Sequence, residues 1–247
     1  MSISAVVLTK NEERNIESCL KDLEFCDEII VIDDNSTDAT VELARKNGAR
    51  VIVHSLENSF ALQRNFGLEK AREEWVLFVD ADERVSEKLK NEILEKIQNN
   101  KYVGFFLKRE DVMWRKVLRH GEQGKIQLLR LAKKENGKWK GKVHEMWDIH
   151  GSVQTLDNAL RHHPHPTIAE FLQEINFYST LRSQELFENG KHANLIDILI
   201  YPKVKFIQDY FWKMGFLDGI QGFLAAILMS FHSFLVRGKL WQLQKST

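Results

Sequence analysis

Cysteine is nearly absent: Cys19 and Cys26 are the only two in 247 residues. The pattern puts one on a helix and the other at the start of a strand, which excludes a disulfide framework or a Cys-based metal site and points to reduced thiols in the cytosol. Three prolines and thirteen glycines leave no room for a long linker. Met1-Ser2-Ile3-Ser4 runs into a strand pattern with no basic start or cleavage site, so a secretory signal is not expected and a cytoplasmic location is. No apolar run reaches the roughly 20 residues that cross a bilayer. The longest, from Gly222 to Val236, is interrupted by Ser230, His232 and Ser233, and suits a surface better than a span.

Net charge is also lacking, but only in the sum. Residues 1–100 hold 13 Lys and Arg against 21 Asp and Glu, a charge of −8, and residues 101–150 carry +7. An acidic part able to carry a cation is followed by a basic stretch able to face phosphates, an arrangement suited to anionic substrates bridged by a metal. A merely solvated basic surface is the rival reading.

What is present is an alternation of apolar runs and helical patterns. Strands are expected at 3–8, 28–32, 50–53 and 75–79, and helices are expected around Ile16, Leu20 and Leu23, after a Ser36 cap, over 60–71, and from Ser86 to Asn99. Such alternation requires parallel pairing with right-handed crossovers, hence a doubly wound, mostly parallel α/β sheet with its binding edge at the strand ends. After residue 100 the pattern changes to short runs at 102–107, 126–131 and 142–149, joined by Gly-containing turns, so this half is expected to be antiparallel and loop-rich. Thr167-Ile168-Ala169-Glu170 is a capping box that opens a long helix, and all that follows reads as helical. The expected division is a catalytic domain over 1–165 and a helical extension over 166–247.

Three polar clusters meet at the predicted strand ends: Thr9 to Glu12, Asp33 to Ser36, and Asp80-Ala81-Asp82-Glu83. The last follows Trp75-Val76-Leu77-Phe78-Val79, so Asp80 and Asp82 stand where open α/β sheets place ligands. Mg2+ or Mn2+ is usually held by one or two carboxylates plus substrate phosphates, so this pair implies a nucleotide diphosphate partner. A helix-capping turn before Ser86 is the structural alternative. Asp33 and Asp34 can accept from a base or a ribose hydroxyl, with Thr9 and Glu12 beside them, or can serve a helix N-terminus. Arg64 can pair with phosphate or lie on the surface. His162, His163 and His165 flank Pro164 in a segment too extended for three ligands to converge on zinc, and read as a polar turn.

With Ala5 to Glu13, Val31 to Asp38, Arg64-Asn65 and Asp80 to Arg84 in this order and spacing, the first 150 residues resemble the family 2 inverting glycosyltransferases of the A-type fold. Arg119-His120-Gly121, Gln127-Leu128-Leu129-Arg130 and Val143-His144-Glu145 make the branch of lipopolysaccharide core glucosyltransferases the most similar one. The resemblance implies a metal-dependent transfer of a hexose from a nucleoside diphosphate sugar, UDP-linked, to a hydroxyl of a glycan or lipid-linked glycan. It implies that Thr9, Glu12, Asp33 and Asp34 hold the nucleoside and that Gln127 and Arg130 lie near the diphosphate and acceptor, a plain strand with an outward arginine being the alternative. Glu145, in the loop-rich half and in the branch's motif, is the first candidate for the base against a surface strand carrying His and Glu, and Asp111, after Arg109-Glu110, is a weaker one. An aspartyl phosphatase and a non-catalytic nucleotide-sugar or membrane-binding module are the alternatives.

The end of the chain, 203–241, mixes many aromatic and aliphatic residues with Lys203, Lys205, Lys213, Arg237 and Lys239. Two readings stand: an anchor on the anionic inner leaflet of the cytoplasmic membrane, or a homodimer contact at Gly215 and Gly219.

Overall fold

The computed structural model describes residues 1–56, 59–141, 145–164 and 167–245. Two compact units emerge: Met1–Arg109 with Ile126–His162, and Glu110–Lys125 with His163 onward.

The first unit opens with β1 (Ile3–Thr9), α1 (Ile16–Asp22), β2 (Glu28–Asp33), α2 (Thr40–Lys46), β3 (Arg50–Val53), α3 (Phe60–Lys70) and β4 (Trp75–Asp80). It continues with β5 (Glu83–Arg84), α4 (Glu87–Lys96) and most of β6 (Gly104–Met113). β1 pairs in parallel with β2 and β4, and β2 with β3, as the β-α alternation predicts. Side chains of β1 and β4 alternate between two cores. Ala5, Val7, Leu77 and Val79 pack with Ile16, Leu20, Leu89 and Ile93 on one face, while Val6, Val76 and Phe78 meet Ala61, Leu68 and Trp139 on the other. Trp75 to Val79 are wholly buried, which is why this strand reads as a continuous apolar run rather than an alternating one. α3 lies close on the sheet because Gly67 lacks a Cβ; one placed there would come within 2.6 Å of Val6 Cγ1.

The remainder of the sheet is antiparallel. β8 (Ile126–Lys133) pairs with β4 and β6, and β11 (Val153–His162) reaches β5, giving the order β3-β2-β1-β4-β8-β6-β11-β5. A separate hairpin joins β9 (Gly137–Lys140) to β10 (Met146–Ile149). The ten residues of β11 were not expected from sequence, and His162 lies at the end of that strand rather than in a turn. Ser36 does not cap α2, whose N-cap is Ala39 without a side-chain bond; Asp38 instead accepts from the Thr40 amide. Of the expected strand over 142–149, residues 142–144 lie outside the described ones, as does His165 of the histidine cluster.

The second unit contains the end of β6, β7 (Lys116–Val117), a 3-10 turn at Gly121–Lys125, α5 (Ile168–Glu188), α6 (Leu195–Ile207) and α7 (Gly219–Lys245). The Thr167–Glu170 capping box is formed in both directions. A π-helical turn, Gln208–Trp212, follows α6. Met113, Leu118, Phe171, Ile175, Ala225 and Leu228 form this unit's core.

Candidate active site

Within the first unit, four charged side chains form a chain of contacts at the end of β4. Arg64, 3% exposed on α3, donates Nε to Glu145 Oε1 at 3.0 Å and NH2 to Asp80 Oδ1 at 3.0 Å. Arg130 donates NH2 to Asp80 Oδ2 at 2.8 Å. Glu145, Arg64, Asp80 and Arg130, which span 81 positions in sequence, therefore alternate carboxylate and guanidinium.

Each is placed by a local device. The Arg64 guanidinium lies over the rings of Trp139 and Phe78, 4.9 and 5.7 Å from their centroids, and Trp139 stacks on Trp147. Asn65 fixes this aromatic wall by exchanging two 2.9 Å hydrogen bonds with the Trp139 backbone, as a strand partner would. Arg130 owes its direction to a bulge. Phe105 pairs with Leu131 and Phe106 with Leu129, so Arg130 is the extra residue of β8, and bulges re-aim side chains in this way. Gln127 is not brought into the cluster: exposed on β8, it accepts at 3.5 Å from Thr155.

The electrostatics follow from this packing. Burial would raise the Asp80 carboxyl, but Arg130 and then Arg64 outweigh it and hold Asp80 well below the usual carboxylate range. Glu83, wholly buried, is pushed the other way, by burial first and by the Asp80 carboxylate second. Its Oε2 accepts from the Asp80 amide at 2.9 Å, which fixes the strand end. Asp82 meets His162 Nε2 at 3.1 Å. Glu83 and His162 carry parts of this site that residue patterns did not assign. Glu83 sat in the acidic run as a legible signal, whereas His162 is placed by the pairing of β11 with β5.

The other polar cluster joins the ends of β1 and β2. Asp33, 1% exposed, accepts from Thr9 Oγ1 at 3.0 Å and from Ser36 N at 2.8 Å. Asp34 accepts from Lys10 Nζ and the Leu56 amide; despite partial burial, these bonds lower its carboxyl. The Asn11 amide donates to Ser36 Oγ, the Glu12 amide to Thr40 Oγ1 and the Thr37 amide to Asn11 Oδ1, so the two loops form one surface. Asn11 and Asn35 hold positive φ of 55° and 53° at the turning points, a conformation asparagine tolerates better than most residues. Thr9 and Asp33 are thus buried partners of each other, while Glu12 and Asp34 stand nearer the rim. Asp111 belongs to the second unit.

Among the described residues, no three His, Cys, Asp or Glu side chains converge to hold a metal by themselves. The donor chemistry nevertheless fits Mg2+ or Mn2+. Asp82 and Asp80 offer hard carboxylate oxygens, and the remaining ligands of such an ion ordinarily come from water and phosphate. Among the described residues, buried Arg64 NH1 and Arg130 Nε and NH1 have no hydrogen-bond partner, which leaves N–H groups suited to an anion beside those carboxylates.

The model of the family described as Glycosyl transferase family 2 matches residues 4–152. The chain is similar to the lipopolysaccharide core biosynthesis glycosyltransferase LpsC of Rhizobium meliloti (strain 1021), at 27% identity over 250 residues, covering 98% of this chain and 93% of that protein. It is similar at 28% identity over 256 residues to an uncharacterized glycosyltransferase of Rickettsia bellii (strain RML369-C), covering 98% and 86%. Among solved structures, S. aureus TarS 1-349 in complex with UDP-GlcNAc shares the fold with a TM-score of 0.50 at 16% identity, covering 100% of this chain and 93% of that one.

Proposed function

The chain belongs to glycosyl transferase family 2, and from that membership we propose that it moves a hexose, with inversion, from a UDP-linked sugar to a hydroxyl of a glycan or lipid-linked glycan. The observation that carries this reading is the run Glu145–Arg64–Asp80–Arg130, with guanidinium N–H groups that have no partner among the described residues, next to Asp82. Those N–H groups suit a diphosphate, and Thr9, Glu12, Asp33 and Asp34 supply the loop surface for the nucleoside. Asp82 would hold Mg2+ or Mn2+ directly and Asp80 through its remaining lone pairs or a water; when bound, the ion offsets charge on the departing diphosphate. Glu145 takes the proton from the acceptor hydroxyl as that oxygen attacks the anomeric carbon opposite the nucleotide. Arg64 orients Glu145 through Nε while NH2 holds Asp80, so base and leaving-group side share one rigid connector.

Similarity to a protein named for lipopolysaccharide core biosynthesis favours an acceptor of the cell envelope, with the enzyme on the cytoplasmic side of the membrane. An aspartyl phosphatase opens with its aspartates on the first strand, whereas Asp80 and Asp82 come at the end of β4 and are followed by Glu83-Arg84. A thermal-shift panel of nucleoside diphosphate sugars, with and without Mg2+ or Mn2+, tests the donor and the ion together. Transfer by Glu145→Gln, with product anomeric configuration read by NMR, tests the base. Unimpaired transfer by that variant removes Glu145 from the mechanism, and a retained anomeric configuration overturns inversion.

A further inference from the structure

In the second unit, α6 shows apolar side chains on all sides, yet none of its residues is buried. Leu195, Ile196, Leu199, Val204 and Ile207 are each at least half exposed. So much exposed apolar surface on one helix belongs in a core or in lipid, with Asp197, Lys203 and Lys205 the charged exceptions. α7 adds a stripe at helical spacing, Ile220, Phe223, Ile227, Phe231 and Phe234, extended by Trp241 and turned away from the buried Gly222, Ala225, Ala226 and Leu228. Ring contacts join the two helices. Phe206 and Tyr210 lie 6.0 and 5.6 Å from Phe223, and Tyr210 meets Phe216, so exposed Phe211, Trp212 and Phe216 extend the same face. At about 200 Å2 per ring, the exposed aromatics alone leave on the order of 700 Å2 open, more than a soluble monomer usually shows in one patch.

Charge identifies the occupant. From Lys191 to Lys245 there are seven Lys and Arg and only three acids. All three acids are engaged within the fold. Asp197 caps α6, Asp209 (2% exposed) pairs with Lys205 and Lys213, and Asp218 (3% exposed) accepts from the His120 and Arg119 amides. Lys191, Lys203 and Lys245 remain exposed. Among the described residues the surface is therefore apolar with an excess of cations, its three carboxylates and the neighbouring Glu122, which pairs with Lys205, all engaged by groups of the fold. A second copy docked on this face by two-fold symmetry would set cation against cation; an anionic bilayer complements both features.

By length and composition, Gly215–Lys245 could cross a membrane. Its other side forbids that. Ala225 and Leu228 pack with Phe171 and Ile175 of α5, and Lys239 Nζ bonds Asn176, Ser179 and Thr180 of the same helix. Crossing would draw α5, with Glu174, Glu185 and Glu188, into hydrocarbon.

We propose that α6, the π-helical turn and α7 form an in-plane docking surface for an anionic lipid bilayer. This names the partner that the functional reading leaves general, and it is tested without donor or acceptor, so that either can fail alone. The full chain is floated with vesicles of phosphatidylcholine, with and without phosphatidylglycerol. Binding is expected to be at least roughly tenfold stronger with phosphatidylglycerol and to weaken with salt. The combined Phe211→Ser, Trp212→Ser and Ile220→Ser variant, altered only at exposed positions, is expected to lose flotation by a similar factor with an unchanged thermal transition. Lys191→Glu with Lys203→Glu is expected to lose the anionic preference alone. Vesicle-bound protein is expected to be released by alkaline carbonate. Failure to float, a serine variant that floats as well as the parent, or resistance to carbonate each overturns the proposal.

Discussion

Replacing Arg64 with Met tests whether the carboxylate-guanidinium chain is as dry and coupled as its geometry implies. Methionine keeps most of the aliphatic contact with Phe78 and Trp139, so the loss is mainly one of charge. Removing one partner of a buried pair costs about 3–5 kcal/mol. Asp80 keeps Arg130 at 2.8 Å, and its side chain is 29% exposed against 14% for Glu145, so water recovers part of that cost. Losing the stack on Trp139 adds about 0.5–1 kcal/mol. The net expectation is about 2–4 kcal/mol, or roughly 5–15 °C in the melting temperature of a unit of this size. Thermal unfolding followed by circular dichroism and tryptophan fluorescence measures it, Trp139 being a probe inside the cluster. Arg64→Lys keeps the charge but not the fork that serves both carboxylates, and should fall about midway. In a cycle with Glu145→Gln, coupling of about 1 kcal/mol or more is expected. A loss within about 0.5 kcal/mol for Arg64→Met, or equal losses for Met and Lys, would place these pairs among solvent-screened surface bridges and refute the reasoning.

Glu83→Gln should stabilise the protein increasingly as pH rises. Glu83 is raised in the folded state, so its ionisation costs stability from its unfolded value near about 4.3 upward through that raised value; a gain independent of pH in melts at acidic and neutral pH would contradict this. Asp80 has the opposite sign: its stabilisation is complete above an unfolded value of about 3.9 and fades as pH falls through its depressed folded value, so Asp80→Asn should cost most near neutrality and little in strong acid. Thr9→Val should cost about 1–2 kcal/mol in chemical denaturation by leaving the buried Asp33 short of a donor. Asp82→Asn should keep nearly the parent melting temperature while losing the additional shift given by Mn2+ with a nucleoside diphosphate sugar; an intact shift would remove Asp82 from the cation site.

The parallel half was legible because its signals are local. Trp75 to Val79 announces a strand buried on both faces, and Ser86 caps α4 through the Leu89 amide three residues on. The acidic run at 80–83 was legible for the same reason. What was hidden depends on pairing across the chain. Within Val153–His162, Leu156 and Leu160 are the buried apolar residues, spaced by four with Asp157, Asn158 and Ala159 between them, so the segment shows neither clean alternation nor a long apolar run. Its strand character comes from neighbours in the sheet, and with it the place of His162. Ser36 looked like a cap because serine before a helical pattern usually is one. Asn11 and Asp33 compete for it here, and α2 begins after them.

The bulge at Arg130 shows why the centre of the site could not be read from spacing alone. In a regular strand, residues three apart point to opposite faces, so Gln127 and Arg130 could not both serve one site. The register shift between Phe105 and Phe106 decides which of them turns inward, and the resulting contact neutralises Asp80 from a second side. With two guanidinium groups on Asp80 and the His162 ring on Asp82, the two aspartates are chemically unequal despite lying one residue apart. Asp80 anchors two cationic side chains, Asp82 meets His162 instead, and on the proposed reading it is Asp82 that takes the cation. On the proposed reading, a donor that carries both a diphosphate and its metal would satisfy the two halves at once, the anion meeting the guanidinium groups and the cation meeting Asp82.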